Sequence, residues 1–148
     1  WRFRKDPKDL GMPGPGPDSF AHAARADDPE WEPIRIDRPW TRQGHDYHGV
    51  AWYQVEFNAP ASIDPEDSTW LLFHAVDGDF QVWLNGRRIG HRDEPLKQVW
   101  DQPRAIPTRG QLRPGQSNRL VVRVEKDRAA AGIWKPVELR LLPQRDAP

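Results

Sequence analysis

Residues 70–91, WLLFHAVDGDFQVWLNGRRIGH, contain three apolar runs separated by two tight turns. Asn85-Gly86 is the strongest short-range hairpin signal, because a two-residue type I′ turn needs a positive φ at both positions. The second turn, Asp-Gly-Asp at 77–79, joins LLFHAV to FQVWL. We therefore predict three successive antiparallel strands, a meander, and an all-β chain around it.

Outside this stretch, apolar and polar residues alternate in 50–58, 118–125 and 136–142, as they do in half-buried strands. Further short strands are predicted at 1–4, at the edge of a sheet, and at 97–102. Pro- and Gly-rich segments separate these runs, and no long segment has a helical period. Eight or nine short strands with regular turns predict an antiparallel β-sandwich. We expect residues 1–148 to form one domain.

The composition excludes several classes of partner and site. Lys and Arg number 22, as do Asp and Glu, so the chain lacks the basic excess that nucleic acid or an anionic membrane normally requires. No cysteine is present, which rules out disulfides and thiolate metal sites. No apolar run approaches the length of a membrane span. The chain opens on Trp1, so we expect a mature or excised piece of a longer protein.

Five segments occur in a familiar order. They are WRFRKDPKDLG (1–11), GVAWYQVEF (49–57), FHAVDGDFQVWLNGRRIGH (73–91), NRLVVRVE (118–125) and GIWKPVELRL (132–141). Together they resemble the N-terminal sugar-binding domain of family 2 glycoside hydrolases, the β-galactosidase and β-glucuronidase group. The resemblance covers nearly the whole chain, although Gln54 stands where family members usually carry Arg.

This resemblance implies a jelly-roll β-sandwich of the galactose-binding type. It also implies a non-catalytic module, because the catalytic residues of those enzymes lie in a separate barrel domain. The expected partners are a carbohydrate and the catalytic domain of the same parent chain, in a secreted or periplasmic bacterial protein. No cofactor is predicted; structural calcium is compatible with such jelly rolls, but no loop signature predicts it here.

Two other chemistries are weighed on the residues. Asp77 and Asp79 could flank a sugar at the separation that glycoside hydrolysis needs, but Asp-Gly-Asp is far more often ordinary turn chemistry. His45, Asp46 and His48 cluster without an established ligand spacing, so we predict a polar loop and no metal site.

Strand parity locates the candidate sugar site. If successive strands run antiparallel from Val50, the loops alternate between the two ends of the sandwich. One end, which we call the aromatic end, receives the loops 37–49, 77–79, 92–96 and 126–134. The opposite end receives the loops 59–68, 85–86 and 103–117.

The aromatic end gathers rings, carboxylates and Arg, which together stack on sugars and bind vicinal hydroxyls. Trp40, Tyr47 and Trp134 are the predicted stacking platforms. The predicted hydroxyl ligands are His48, Asp77, Asp79, Arg92 and Asp93. Of the other tryptophans, Trp70 and Trp83 are expected in the core, and Trp1, Trp31 and Trp52 under the Pro-rich loop 5–30.

Three functions remain open on the sequence. The first is a carbohydrate-binding module that recognises sugar by itself. The second is a structural or docking domain whose loop end rests on a catalytic barrel and binds no sugar alone. The third, a small stand-alone hydrolase, has the least support, because no catalytic motif is present.

Overall fold

The computed structural model of the protein describes residues 1–13, 19–21, 28–64, 67–93 and 100–142. This part of the chain contains eleven strands, one 3₁₀ turn at Trp40–Arg42 and no α-helix. The strands are β1 (Arg2–Lys5), β2 (Glu32–Pro33), β3 (Gly49–Asn58), β4 (Ser68–Phe73), β5 (Val76–Asp77), β6 (Asp79–Leu84), β7 (Arg87–Arg92), β8 (Arg104–Pro107), β9 (Ser117–Lys126), β10 (Gly132–Ile133) and β11 (Val137–Leu142).

A six-stranded sheet forms one layer, in the order β2-β1-β3-β9-β6-β7. Its centre is the pair β3 and β9, which run antiparallel over ten residues each, from Gly49 opposite Lys126 to Asn58 opposite Ser117. The predicted first strand exists, but it lies inside the sheet, with the two-residue β2 outside it.

The second layer is the three-stranded sheet β11-β4-β8, with a two-stranded sheet, β10-β5, beside it. Alternating residues of both layers point inward, and apolar burial between them is the main source of stability. The larger core residues of this cluster are Phe3, Trp40, Tyr53, Leu71, Phe73, Phe80, Leu84, Ile106, Leu120 and Ile133. The predicted antiparallel β-sandwich is confirmed, whereas its jelly-roll connectivity stays a prediction.

The outer face of the six-stranded sheet carries a second buried cluster. Trp52 and Trp83 lie there with ring centroids 5.3 Å apart, and Phe20 of the Pro-rich loop packs against both Trp31 and Trp52. The predicted burial of Trp31 and Trp52 under that loop is therefore confirmed. Trp1 is an exception, since it packs edge-on against Tyr53 of the main core at 6.3 Å.

The Asn-Gly hairpin forms as predicted. Asn85 has φ 51° and Gly86 has φ 84°, which are the positive values that a type I′ turn needs. The Asn85 side chain donates to the Gln111 carbonyl at 2.7 Å and accepts from the Arg119 N–H at 2.9 Å. The turn thereby ties β6 and β7 to the start of β9.

The predicted meander is wrong in its first step. β4 belongs to the three-stranded sheet and β6 to the six-stranded sheet, so the chain crosses between layers at residues 74–75. Phe73 and Phe80 explain the crossing, because their rings pack at 5.1 Å across the core. Burying the apolar faces of β4 and β6 against each other across the core was more favourable than pairing the two strands in one sheet.

Two further predictions fail locally. Of the predicted strand 97–102, residues 100–102 form a turn and 97–99 lie outside the described residues. β8, at Arg104–Pro107, pairs with β4 in its place, which leaves the strand parity unchanged. In β11, Leu141 is 47% exposed although its alternation predicted an inward side chain.

Candidate functional site

The loops predicted to share the aromatic end do meet in the structure. The Trp40 N–H donates to the Ala131 carbonyl at 2.9 Å, and His48 Nε2 donates to the Ala129 carbonyl at 2.7 Å. The Arg92 guanidinium reaches back to the Gly78 carbonyl at 3.1 Å. Segments 37–49, 77–79 and 126–134 therefore form one surface with Arg92, while residues 94–96 lie outside the described residues.

The interpretation of Trp40 as a stacking platform is wrong. Its ring is 0% exposed and packs against Phe3, while its Nε1 donates to the Tyr47 carbonyl at 2.8 Å. Gly132 presses on the ring so closely that an added Cβ would lie 2.7 Å from it. A buried ring offers no face to a sugar, so Trp40 is part of the core that supports the loops.

Tyr47 is half-buried against the same core. Its hydroxyl donates to the Val50 carbonyl at 2.7 Å, and burial raises the pKa of this phenol. The Lys5 ammonium lies 5.8 Å from the ring centre. Tyr47 is thus a fixed wall of the surface, with less free area than its sequence position suggested.

Asp77 and Arg92, both predicted to bind hydroxyls, make contacts within the protein. Asp77 is buried and forms an ion pair with Lys126 at 2.8 Å. Arg92 donates to the carbonyls of Val76 and Gly78, and its guanidinium lies 5.0 Å from the centre of the Phe80 ring. These bonds hold the β5–β6 connection in place and use much of the hydrogen-bonding capacity of both groups.

The remaining predicted ligands are closer to solvent. Asp79 is half-buried at the start of β6, and Asp93 is exposed, with its carboxylate 4.0 Å from His91 Nε2. His48 is also exposed, although its bond to Ala129 fixes the ring. Of the predicted polar groups, His48 and Asp93 are therefore exposed and Asp79 is half-buried.

Trp134 forms an aromatic pair with Trp100. The two ring centroids lie 5.5 Å apart at an interplanar angle of 35°, and Trp134 Nε1 donates to the Trp100 carbonyl at 3.1 Å. Trp100 is 39% exposed, and the Lys135 ammonium lies 4.6 Å from the Trp134 ring centre. Trp100 was not among the predicted site residues, because its segment shows no alternation that would orient it.

No metal centre emerges from the part of the chain that the structure describes. Within it, no three His, Cys, Asp or Glu side chains come close enough together to hold a metal ion. His45, which the sequence placed in a candidate cluster, is buried beside Phe3, and this burial lowers the pKa of its imidazole. No helix in the described ranges is long and apolar enough to cross a membrane.

Comparison with known proteins relates this fold to β-glucuronidases, although no protein-family model matches the chain. A Formosa agariphila protein named "Putative beta-glucuronidase" is 31% identical over 80 residues, covering 45% of this chain and 8% of that protein. A crystal structure of Ruminococcus gnavus β-glucuronidase matches 97% of this chain with a TM-score of 0.76 and 19% identity. A second R. gnavus β-glucuronidase structure matches 85% with a TM-score of 0.68 and 22% identity.

These matches confirm the predicted resemblance at the level of the fold. The chain spans 8% of the curated relative and 20% to 28% of the two solved chains. It therefore matches a domain-sized part of these β-glucuronidases in fold, and not their whole length.

Proposed function

We propose that this chain is a non-catalytic carbohydrate-binding domain of a glycoside hydrolase, with its sugar-binding surface at the aromatic end. The observation that carries the proposal is the Trp100–Trp134 pair, in which Trp100 is exposed and Trp134 is half-buried. Aromatic rings stack on the flat C–H faces of sugar rings, and two neighbouring rings present a broader platform than one.

The polar groups of this end complete the proposal. His48 and Asp93 are exposed and Asp79 is half-buried, and all three side chains are of types that exchange hydrogen bonds with sugar hydroxyls. Loops placed on a rigid sandwich are a common position for such sites. Asp77 lies in a buried ion pair with Lys126, which favours a structural role for it over a catalytic one.

The test begins with a glycan array, which identifies a responsive glycan. Calorimetry then compares the wild type with Trp100→Ala, Trp134→Ala and Asp79→Ala. Loss of one stacked ring should cost about 1–3 kcal/mol, by analogy with stacked bases and the dominant contacts of binding hot spots. A micromolar site would then weaken to roughly ten to a hundred micromolar.

The matched control is Arg113→Ala, at the opposite end. The Arg113 backbone bonds to Asn118, but its exposed side chain makes no hydrogen bond or ion pair among the described residues. We expect unchanged affinity in this variant. If Arg113→Ala weakens binding while the two tryptophan variants do not, the surface has been assigned to the wrong end.

A second candidate function, a docking domain without independent sugar binding, is favoured by one observation. The outer face of the three-stranded sheet bears a shallow apolar cavity of about 210 Å³. Its lining residues are Trp70, Leu72, Ala105, Arg140 and Leu142. Uncovered apolar sheet faces commonly bind another protein surface.

The array separates the two functions. A docking domain binds no glycan in isolation, whereas the proposed module does. If the array is negative and Leu72→Glu lowers the binding of a hydrophobic dye to the isolated domain, the docking function is the better account.

A further inference from the structure

We infer that two copies of this chain associate edge to edge through β11, which joins their three-stranded sheets into one continuous sheet. β11 lies at an edge of its sheet, because β4 is the only described strand that pairs with it. An edge strand presents a row of unpaired N–H and C=O groups and is a template for pairing with another strand. None of the residues of β11 belongs to the aromatic end.

The other edges of the two larger sheets are protected against such pairing. β2 has two residues, of which one is Pro33, and β8 has four and ends at Pro107. β7 begins with the exposed Arg87 and Arg88, and its ladder with β6 carries a register shift. Short strands, proline, charge and irregular ladders are the usual ways in which proteins block an edge. β11 is different, since its six residues, VELRLL, contain no proline and pair with β4 without a register shift.

The hydrogen-bond pattern shows which backbone groups of β11 point away from β4. The His74 N–H donates to the Pro136 carbonyl at 3.2 Å, so these residues form a hydrogen-bonded pair at the start of the ladder. In an antiparallel ladder such pairs alternate with non-hydrogen-bonded ones. Val137, Leu139 and Leu141 therefore direct their N–H and C=O groups outward, and the described part of the chain offers these groups no partner.

The side chains at this edge are apolar and incompletely covered. Leu141 is 47% exposed, although the alternation of β11 points it towards the core. Val137 and Leu139 pack against the core but are only half-buried. A strand placed alongside β11 would cover all three, because neighbouring strands bring the side chains on one face into contact. Association thus covers a leucine that the fold of one chain leaves in water.

Charge selects a second copy of β11 as the partner. In an antiparallel pair centred on Leu139, Glu138 lies opposite Arg140 of the second copy, and Arg140 lies opposite its Glu138. Val137 then lies opposite Leu141 of the second copy. Each outward-facing residue exchanges both its N–H and its C=O bond with the residue opposite, and the two-fold axis makes the contact self-complementary.

Other registers are less favourable. Pairing centred on Glu138 or on Arg140 places like charges opposite each other, which is destabilising. Pairing centred nearer either end of β11 shortens the ladder. Within one chain, Glu138 already contacts Arg140 and lies 3.2 Å from His74. In the favoured register the second copy therefore adds an opposite charge beside each member of an existing ion pair.

The first experiment is sedimentation equilibrium of the 148-residue chain, without sugar, from about 10 µM to about 500 µM. Ionic strength is kept low, because salt screens exposed ion pairs. A six-residue edge buries less surface than a standard interface, so the expected dimer is weak. We expect the mean mass to rise with concentration from that of one chain towards that of two. A mass that stays at one chain over the whole range would overturn the inference.

Charge reversal tests the register. Glu138→Arg makes both charged positions of β11 basic and Arg140→Glu makes both acidic, so each variant alone meets like charges across the axis. We expect each to weaken self-association on the order of tenfold or more. An equimolar mixture of the two variants should associate again, and so should the double variant, because every cross-strand pair is then of opposite sign. Loss of association that neither of these restores would overturn the register.

The matched control is Arg113→Glu, which reverses an exposed Arg at the opposite end of the sandwich. It changes the net charge as Arg140→Glu does, and it should leave self-association unchanged. If it weakens association as much as Arg140→Glu, the net charge and not the pairing of β11 is decisive, and the inference fails.

Amide hydrogen exchange tests the edge itself. The N–H groups of Glu138 and Arg140 bond to β4 and should be protected at every concentration. Those of Val137, Leu139 and Leu141 should gain protection only at high concentration. Protection of these three at low concentration would mean that another part of the same chain covers the edge. Association without their protection would mean that another surface is used, and either result overturns the inference.

Discussion

The two ends of the sandwich differ in how far their side chains remain available to a ligand, and this difference is the reverse of what their sequences suggest. The aromatic end carries most of the rings and charges that suggest a binding site, yet Trp40, Asp77 and Arg92 are used within the protein. The opposite end is richer in Pro, Gly and plain polar residues, yet a cavity of about 320 Å³ opens there. Sequence patterns predict which side chains gather, but hydrogen-bond geometry decides which of them remain available to a ligand.

The physical reason lies in the backbone groups of the loops. Residues 37–48 and 127–131 lie outside the strands, so their backbone groups need partners that no neighbouring strand supplies. Trp40, Tyr47 and His48 provide such partners through side-chain bonds to carbonyls. At the opposite end, Asn85 and Asn118 meet this need in one compact network, in which the Asn85 side chain donates to the Gln111 carbonyl and to the Asn118 side-chain oxygen.

The largest expected effect on the free energy of unfolding is at the aromatic end. Trp40→Ala removes a fully buried ring from the main core, and a buried Trp→Ala change typically costs about 3–5 kcal/mol. We expect that loss in the free energy of unfolding, measured by urea denaturation. Trp134→Ala, which removes a half-exposed ring at the same end, should cost about 1 kcal/mol or less. Equal losses in both variants would contradict the distinction between a supporting and a presenting ring.

The sequence predicted the strands well where apolar and polar residues alternate. The alternation in β3 and β9 places Ala51, Tyr53, Leu120 and Val122 in the core, as the structure shows. It could not predict that β4 and β6 lie in different layers, because local alternation is the same for neighbours within a sheet and for partners across a core.

For the candidate site, strand parity predicted that the loops of the aromatic end meet, and in the structure they do. Strand parity could not predict which individual rings are buried. Trp40 and Trp134 occupy similar loop positions in the sequence and differ only in what packs over them. Trp70 illustrates the converse, since the expected core residue is half-buried on an outer face and lines a cavity. Which residues bind a sugar stays a prediction.

The next effect tests the tight turn of the aromatic end. Gly78 has φ 125°, and an added Cβ would lie 2.6 Å from the Glu125 carbonyl oxygen, a backbone atom that cannot easily move. Gly78→Ala should therefore lower the free energy of unfolding by about 2–3 kcal/mol, combining backbone strain with overpacking. Gly44→Ala is the matched control, because Gly44 has φ 85° in open space and isolates the strain alone. Thermal or urea unfolding that ranks the two variants equally would show that the turn is not tightly packed.

A smaller effect is expected at the hairpin of the opposite end. Gly86→Val places a β-branched residue at φ 84°, which should cost about 1–2 kcal/mol of folding free energy. Gly86→Asn should cost less, since Asn tolerates a positive φ. The measurement is again urea denaturation, and an unchanged midpoint for Gly86→Val would mean that the turn adapts and does not constrain this end.

The smallest expected effect is on the pH dependence of stability, and it tests whether the aromatic end is tightly packed. Burial, with a contribution from Lys5, lowers the pKa of the His45 imidazole below its ordinary value of 6.5. The unfolded chain therefore binds a proton more readily than the folded one, so His45 should contribute a loss of stability as pH falls below about 6.5, levelling off below the folded pKa. His45→Phe keeps an aromatic ring beside Phe3 and removes the titration, so its stability should fall less than that of the wild type over this interval.

The measurement is urea denaturation across the acidic pH range, with the exposed His91→Gln as the control for losing an imidazole. Parallel profiles for the wild type and His45→Phe would show that His45 is solvated, and that the aromatic end is looser than its hydrogen bonds indicate.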